Sequence, residues 1–394
     1  MKNNDLFYLF QTQLLALAPA SAHFKIALSG GLDSVVLVHL FSRLEKSVST
    51  AHHVHHGLSD NADKWVVFCT DLCASLTMPL QVSHVILAKK SRISLEALAR
   101  EKRYAVLKEG FNDKSYLVTA HHQDDQLETV LLALKRGAGL AGLQGIVAKQ
   151  SLSTGHLIRP LLHFSREQLE HYAQQFSLQW MEDESNRDQQ FDRNFIRHRI
   201  TPLLKQRWPA IAKTVARSAQ HCQTQLQLIN ELTDADFKHC QLLPLQLKIM
   251  PLKALTETRR NNVLRYWFKQ AAFHYPSSKQ LSVIWQDLVL AQRDAQPKIQ
   301  LQQVTVFRYQ AVIYLVDERC IISKPQKIEW QGETQKIVDA GRFQLQIDVK
   351  NDFLRQSHQI EICFREQLNA GFQCHPIGRG KARSIKKLLH EYQV

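Results

Sequence analysis

Lys25-Ile26-Ala27-Leu28-Ser29-Gly30-Gly31-Leu32-Asp33-Ser34-Val35-Val36-Leu37 joins a short apolar run to a longer one through a turn holding two glycines, two serines and an acid. This order predicts a strand, a tight loop and a helix that is apolar on every side, hence buried against a sheet. Adjacent glycines let the backbone turn sharply and bring N–H groups close to an anion, while the following helix directs its positive end to the same place. The stretch is therefore read as a phosphate-binding loop. It lacks the lysine of a Walker-type loop, which argues against γ-phosphoryl transfer of the P-loop kind. A strand-to-helix turn with no ligand is the plainer alternative, and it leaves Asp33 and both serines without a role.

Outward from this turn the same grammar repeats. Candidate strands at Lys25 to Leu28, Val48 to His53, Leu80 to Ile86 and Ser115 to Thr119 alternate with candidate helices at Ser34 to Glu45, Asn61 to Leu76, Ser94 to Glu109 and Gln123 to Lys135. That alternation predicts an α/β domain with a doubly wound parallel sheet over residues 1–212. From about Trp208 apolar residues fall at helical spacing in Ala219 to Leu232, Thr258 to Gln270 and Ser278 to Ala291, so residues 213–318 are expected to be mainly helical. Ile299 to Val316 alternates like a hairpin. A small α+β domain over residues 325–394 follows, with strand-like alternation in Lys336 to Val349 and Ile360 to Phe364.

Composition narrows the class. The 394 residues are 44% hydrophobic, enough for two or three domains. Phe7 to Ala18 is too short to span a bilayer, is broken by Gln11 and Gln13, and lacks the flanks of an export signal, so no membrane association is expected. The seven cysteines form no CxxC pair, which indicates neither a disulfide framework nor a zinc ribbon and implies a reducing cytoplasm. An excess of 50 Lys and Arg over 36 Asp and Glu gives +14, a field suited to a polyanion. Arg379, Lys381, Arg383, Lys386 and Lys387 form a terminal basic patch with no acid among them, as phosphate contacts would require.

Several side chains carry chemistry in their pattern. Asp33, Asp124, Asp125 and Glu128 lie where two predicted strands end, the place where open α/β sheets bind ligands, and hard carboxylate oxygens there suit Mg²⁺. Acids are also favoured in a first helical turn, so capping is the rival role for Asp124 and Asp125. A metal reading of His52, His53, His55 and His56 is rejected, because alternate strand residues point to opposite faces. Arg193, Asn194 and Arg197 follow an acidic stretch and precede Pro202, and an arginine fork suits a phosphate or an extruded base; a solvated face is the bland alternative. Trp267 is read as core, and Arg259, Arg260 and Arg265 as phosphate contacts.

Taken together these motifs resemble a known family. Ser29 to Ser34 is similar to the SGGxDS loop of the N-type ATP pyrophosphatases, which cleave ATP between the α and β phosphates and transfer AMP to an oxygen. His121 to Thr129 resembles HHxDDxxET. Arg136 to Leu140 with Gly142-Leu143 resembles RGxGxxGL, and Asp183 to Asn186 with Arg193, Asn194 and Arg197 resembles DxSN…RNxxR. These narrow the resemblance to the tRNA(Ile)-lysidine synthetases, and it extends through Arg259 to Phe268 and Arg308-Tyr309 into the basic tail. His56-Gly57-Leu58 resembles a segment beside the adenine pocket, with His55 where Asn is usual and Ser59 where Arg is usual. The chain also stops at Val394, before a further Pro-, Trp- and Arg-bearing segment common in longer members.

The resemblance implies an ATP-dependent ligase that joins free L-lysine to C2 of the wobble cytidine of tRNA(Ile) with a CAU anticodon, through an adenylated cytidine. It implies ATP on Ser29, Gly30, Gly31, Leu32, Asp33, Ser34 and His56, Mg²⁺ on Asp33 and Asp125, and catalysis by Asp33, Asp124, Asp125 and Arg197. It implies tRNA contacts at Arg136, Arg193, Asn194, Arg197, Arg259, Arg265, Arg379, Lys381, Arg383, Lys386 and Lys387, with a homodimer as the candidate assembly. The rivals are a tRNA thiolation enzyme of the same superfamily, a non-catalytic tRNA-binding protein and a small-molecule amide ligase. Thiolation needs a reactive cysteine, and Cys69 and Cys73 are read as core.

Overall fold

Leu32–Ser42 (α2) places Leu32, Val35, Val36, Leu37, Val38, Leu40 and Phe41 in the interior, as expected of a helix that is apolar all round. It follows His23–Ala27 (β1), and the flanking elements are Leu6–Leu17 (α1), Val48–His55 (β2), Ala62–Ser75 (α3), Leu80–His84 (β3), Leu95–Leu107 (α4), Ser115–Val118 (β4) and Gln123–Lys135 (α5). Phe41 meets Phe10 edge-on at 5.3 Å between ring centroids and tilts against Phe24 at 5.2 Å, tying α1, α2 and β1 into one core. In this computed structural model the described residues are 5–45, 47–55, 57, 62–85, 95–182, 188–292, 295 and 297–317, then 326–331, 335–339, 344–348, 357–362, 373–374 and 382–384.

Chain order and sheet order together create the site. The six-stranded sheet runs β3-β2-β1-β4-β6-β5, where β5 is Lys149–Ser151 and β6 is His156–Ile158. All neighbours are parallel except β5 with β6. Chain order reverses between β1 and β4, so the segments leaving their carboxyl ends diverge and open a crevice. Those segments hold the glycine turn and Thr119 to His122. The short helix Leu140–Leu143 (α6) and the β5–β6 pair, absent from the sequence expectation, lie between α5 and Arg166–Gln175 (α7).

Beyond α7 the chain forms Asp192–Phe195 (α8), a π-helical stretch at Ile196–Ile200, Thr201–Arg207 (α9) and the 30-residue Ile211–Cys240 (α10). Two compact units divide within α10, Met1–Asn230 and Glu231–Val394.

The second unit is helical as expected, but it is built on a five-stranded antiparallel sheet. Gln241–Leu243 (β7), Gln246–Lys248 (β8), Lys298–Leu301 (β9), Val304–Tyr309 (β10) and Val312–Asp317 (β11) run in the order β7-β8-β11-β10-β9. The hairpin foreseen in Ile299 to Val316 is β10 with β11, and alternate residues Val304, Val306, Ile313 and Leu315 are buried. They meet Val263, Leu264, Trp267 and Phe268 of Glu257–Gln270 (α12), which follows the short Ile249–Ala254 (α11). Ser278–Val283 (α13) continues into a π-helical stretch at Ile284–Val289, whose final carbonyls accept hydrogen bonds from buried Arg308. Farther on, Gln326–Gln331 pairs with Ser357–Ile362, Gln335–Asp339 with Gln344–Asp348, and Gln373–Cys374 with Arg383–Ser384, all antiparallel.

Candidate active site

The glycine turn is pinned by its serines. Gly30 adopts φ +87°, the left-handed region that favours glycine, and its carbonyl accepts the Met181 N–H at 2.9 Å. Ser34 Oγ donates to the Gly31 carbonyl at 2.8 Å, lies 3.1 Å from Ser29 Oγ and accepts the Ser29 N–H at 3.2 Å. Gly31 caps α2 without a side chain, which leaves the helix N-terminus free to receive an anion.

Across the crevice α5 begins with a reciprocal cap. The Asp124 N–H donates to His122 Nδ1 at 3.2 Å, and the His122 N–H donates to Asp125 Oδ2 at 3.0 Å. With Nδ1 accepting, neutral His122 carries its proton on Nε2, which lies 3.6 Å from Asp33 Oδ1 and 3.5 Å from Asp125 Oδ2. His122 thus bridges the acid of the glycine turn and the acid of α5. Burial disfavours charge on His122, but Asp125, Asp33 and Asp124 outweigh it and raise its pKa. His121, beside Thr119 Oγ1 at 2.9 Å, goes the other way: burial, opposed only in part by Asp125, pushes it down to about 4.

A second layer of cations surrounds these acids. Arg166 begins α7, and its Nη1 donates to both oxygens of Asp33 at 2.9 and 2.8 Å while its backbone N–H donates to Asp124 Oδ2 at 3.1 Å. Lys205 Nζ lies 2.8 Å from Asp124 Oδ1 and 2.7 Å from Glu167 Oε1. Arg193 donates from Nε to Glu128 Oε2 and from Nη2 to Asp125 Oδ1, both at 2.8 Å. Arg197 donates from Nε to Glu128 Oε1 at 2.6 Å, and from Nη2 to Glu128 Oε2 at 3.0 Å and Asp125 Oδ1 at 3.2 Å. Burial would raise the pKa of Asp125, but His122, His121, Arg193 and the His122 amide hold it well below the usual carboxylate range. Burial also works against charge on Arg197, and Glu128, Asp125 and Asp33 override it.

A glycine turn at the N-terminus of α2 and at a topological switch point, joined through His122 to an acid–arginine cluster, has the geometry that suits an anionic ligand. Residues 8–204 match the PP-loop domain family, and residues 247–314 match the TilS substrate binding domain. Among curated relatives, a tRNA(Ile)-lysidine synthase of Photobacterium profundum is 41% identical over 99% of this chain and 90% of its own length. That of Coxiella burnetii is 35% identical over 95% and 84%, and that of Vibrio cholerae 39% over 99% and 89%. The chain belongs to the tRNA(Ile)-lysidine synthase family.

Within this family member, Ser29, Gly30, Gly31, Leu32, Asp33, Ser34, Asp124, Asp125, Arg193 and Arg197 all lie in the Met1–Asn230 unit, around the crevice. Asn194 turns aside, donating from Nδ2 to the Asp188 carbonyl at 2.9 Å. Arg136 caps the end of α5 and is exposed. In the second unit the Arg259 fork is closed on both oxygens of buried Asp236, and Arg265 reaches Ser278 Oγ at 3.5 Å. Arg383 lies in the last strand, while His56, the Asp183 to Asn186 motif, Arg379, Lys381, Lys386 and Lys387 fall outside the described residues.

The sequence reading missed Arg166 and Lys205, gave His122 no role of its own, and grouped Glu128 with the Mg²⁺ carboxylates, whereas its oxygens are taken by Arg193 and Arg197. A signal existed for Arg166: a cation in the first turn of a helix opposes the dipole, so it needs an acid to hold it. Of the two acids for which capping was the rival role, Asp125 caps α5 through the His122 N–H, while Asp124 receives Lys205 and the Arg166 N–H. Among the described residues no helix is long and apolar enough to cross a membrane.

Proposed function

We propose that this chain activates the C2 oxygen of the wobble cytidine of tRNA(Ile) with a CAU anticodon by transferring AMP from ATP, then couples free L-lysine to C2. The oxygen attacks the α-phosphorus and pyrophosphate leaves. The lysine ε-amine then attacks C2, loses a proton and expels AMP. The observation that carries this reading is the Ser29–Ser34 turn aimed from the N-terminus of α2 into the same crevice as Asp33, His122 and Asp125, in a chain of this family.

Each residue has a part that its chemistry supports. The turn amides and the α2 N-terminus neutralise the triphosphate without needing to reorganise. Arg197 and Arg193 hold Asp125 and Glu128 in place, Arg193 helps keep Asp125 ionised, and a carboxylate at Asp124 or Asp125 is proposed to receive the amine proton. Mg²⁺, when bound, neutralises the departing pyrophosphate as a Lewis acid. Asp33 fits that ion better than Asp125: its oxygens face one partly exposed arginine and His122 Nε2 at 3.6 Å, whereas the Asp125 oxygens carry Arg193, Arg197 and the His122 amide, which a cation would have to displace.

The same reading assigns residues 1–212 to catalysis and residues 213–318 and 325–394 to tRNA binding, in a cytoplasmic homodimer. The thiolation alternative is not favoured. Cys69 and Cys73 are buried core thiols, and burial pushes them up to about 12 and about 11, away from a reactive thiolate.

The test is incubation with ATP, Mg²⁺ and radiolabelled lysine, using either the CAU-anticodon isoleucine tRNA or the elongator methionine tRNA. Acid-precipitable label on the isoleucine tRNA alone, lost in Asp33→Ala, supports the reading. ATP–pyrophosphate exchange without lysine transfer would point to another nucleophile.

A further inference from the structure

One face of the segment carrying Arg193 and Arg197 is not used by the site. Arg193 and Arg197 point to Glu128 and Asp125. Phe191 and Phe195, one turn apart as the Phe195 N–H to Phe191 carbonyl bond of 2.9 Å requires, lie on the other side and are each 46% exposed. The spacing continues through exposed Arg199, Leu203 at 64% exposure and exposed Arg207, with Trp208 beside it at 55%. Scattered exposed apolar residues need no explanation, but a stripe of rings interleaved with arginines does. Its helix is held from beneath by buried Ile196, so the rings are not required for its core.

We propose that Phe191 and Phe195, flanked by Arg199 and Arg207, form a stacking platform for unpaired RNA bases next to the base that reacts. Exposed rings take any base by its π-face, and neighbouring arginines take the phosphates between bases. Arg199 is oriented by its Nε donating to Gln189 Oε1 at 2.9 Å, and Asp192, the acid within the stripe, is neutralised by Lys135 Nζ at 2.5 Å. The platform shares a helix with Arg193 and Arg197, so bases stacked there fix the distance from the anticodon loop to the crevice. This inference rests on the tRNA reading above and names the surface that would hold the loop while its wobble base is extruded.

The experiment uses the full chain. Phe191→Ala and Phe195→Ala are each expected to raise KM for tRNA roughly tenfold, the size of one lost base stack, with kcat and KM for ATP within about twofold of wild type. Phe195→Tyr is expected to restore tRNA affinity and Phe195→Leu not to. In Phe195→Trp, an anticodon stem-loop RNA is expected to quench fluorescence beyond the change seen in wild type. An unchanged KM, equal behaviour of Leu and Tyr, or no added quenching would overturn the proposal. So would loss of self-association in the Phe191→Ala Phe195→Ala double variant, which would mark the stripe as an interface between copies. Should wild type transfer no lysine, the function above fails while the quenching measurement still decides the platform.

Discussion

Replacing Arg197 with methionine isolates the energetics of the acid–arginine cluster. Glu128 is 1% exposed and divides its oxygens between Arg193 and Arg197, so Arg197→Met leaves a buried carboxylate with one cation where it had two. Removing one partner of a buried ion pair costs about 3–5 kcal/mol. The Arg197 side chain is 34% exposed and Arg193 remains, so the discounted cost is roughly 2–3 kcal/mol. For a unit of this size that lowers Tm by roughly 5–10 °C. Circular dichroism melts of wild type and variant measure it, and the same substitution in a Glu128→Gln background separates charge from packing. There the cost is expected to fall below about 1 kcal/mol, because no buried charge is left stranded. An unchanged Tm, or an equal cost in both backgrounds, would refute the claim that Arg197 acts by neutralising Glu128.

Arg166→Ala removes the cation that orients Asp33, and ATP–pyrophosphate exchange is expected to drop roughly 10²-fold; a rate within twofold of wild type would remove Arg166 from the site. Asp125 has its folded pKa depressed, so the stability it contributes is present above its unfolded value and lost as pH falls toward the folded one. The advantage of wild type over Asp125→Asn is therefore expected to shrink by about 1.4 kcal/mol per pH unit below roughly pH 3.9, measured by urea unfolding, and a gap independent of pH contradicts the assignment. Cys69 and Cys73, with thiols pushed up to about 12 and about 11, are expected to resist iodoacetamide at neutral pH until the chain is unfolded; alkylation of the native protein at the rate of a free thiol, read by mass spectrometry, would refute their burial.

Elements with strong periodicity were legible in the sequence. Gln123–Lys135 has the expected bounds, and α2, α3 and α4 lie within a few residues of theirs, because caps and apolar spacing are local signals. Strands β7 and β8, three residues each, are too short to show alternation and form through pairing, β8 with β11 and β7 with β8. The loop and its acids were equally legible, since glycines and serines in that order have few other uses. The fate of the arginines was not. Arg259 closes on Asp236 and Arg193 on Glu128 through pairs that sit on different helices, and one-dimensional spacing carries no record of such contacts. Arg166 was recoverable, because it breaks a local electrostatic rule at the start of its helix, where functional residues tend to break such rules.

The π-helical stretch at Ile196–Ile200, closed by the Thr201 N–H on the Ile196 carbonyl, works as a register shifter. Arg197 and Lys205 are eight positions apart, which in a regular α-helix would leave their directions about 80° out of line. Widening one turn lets both address acids of the same helix, Glu128 for Arg197 and Asp124 for Lys205. Deleting a single residue from this stretch after Arg197 would regularise the helix with Arg197 and Lys205 seven positions apart, about 20° out of line, so both ends of the cluster are expected to keep their acids once the wide turn is gone.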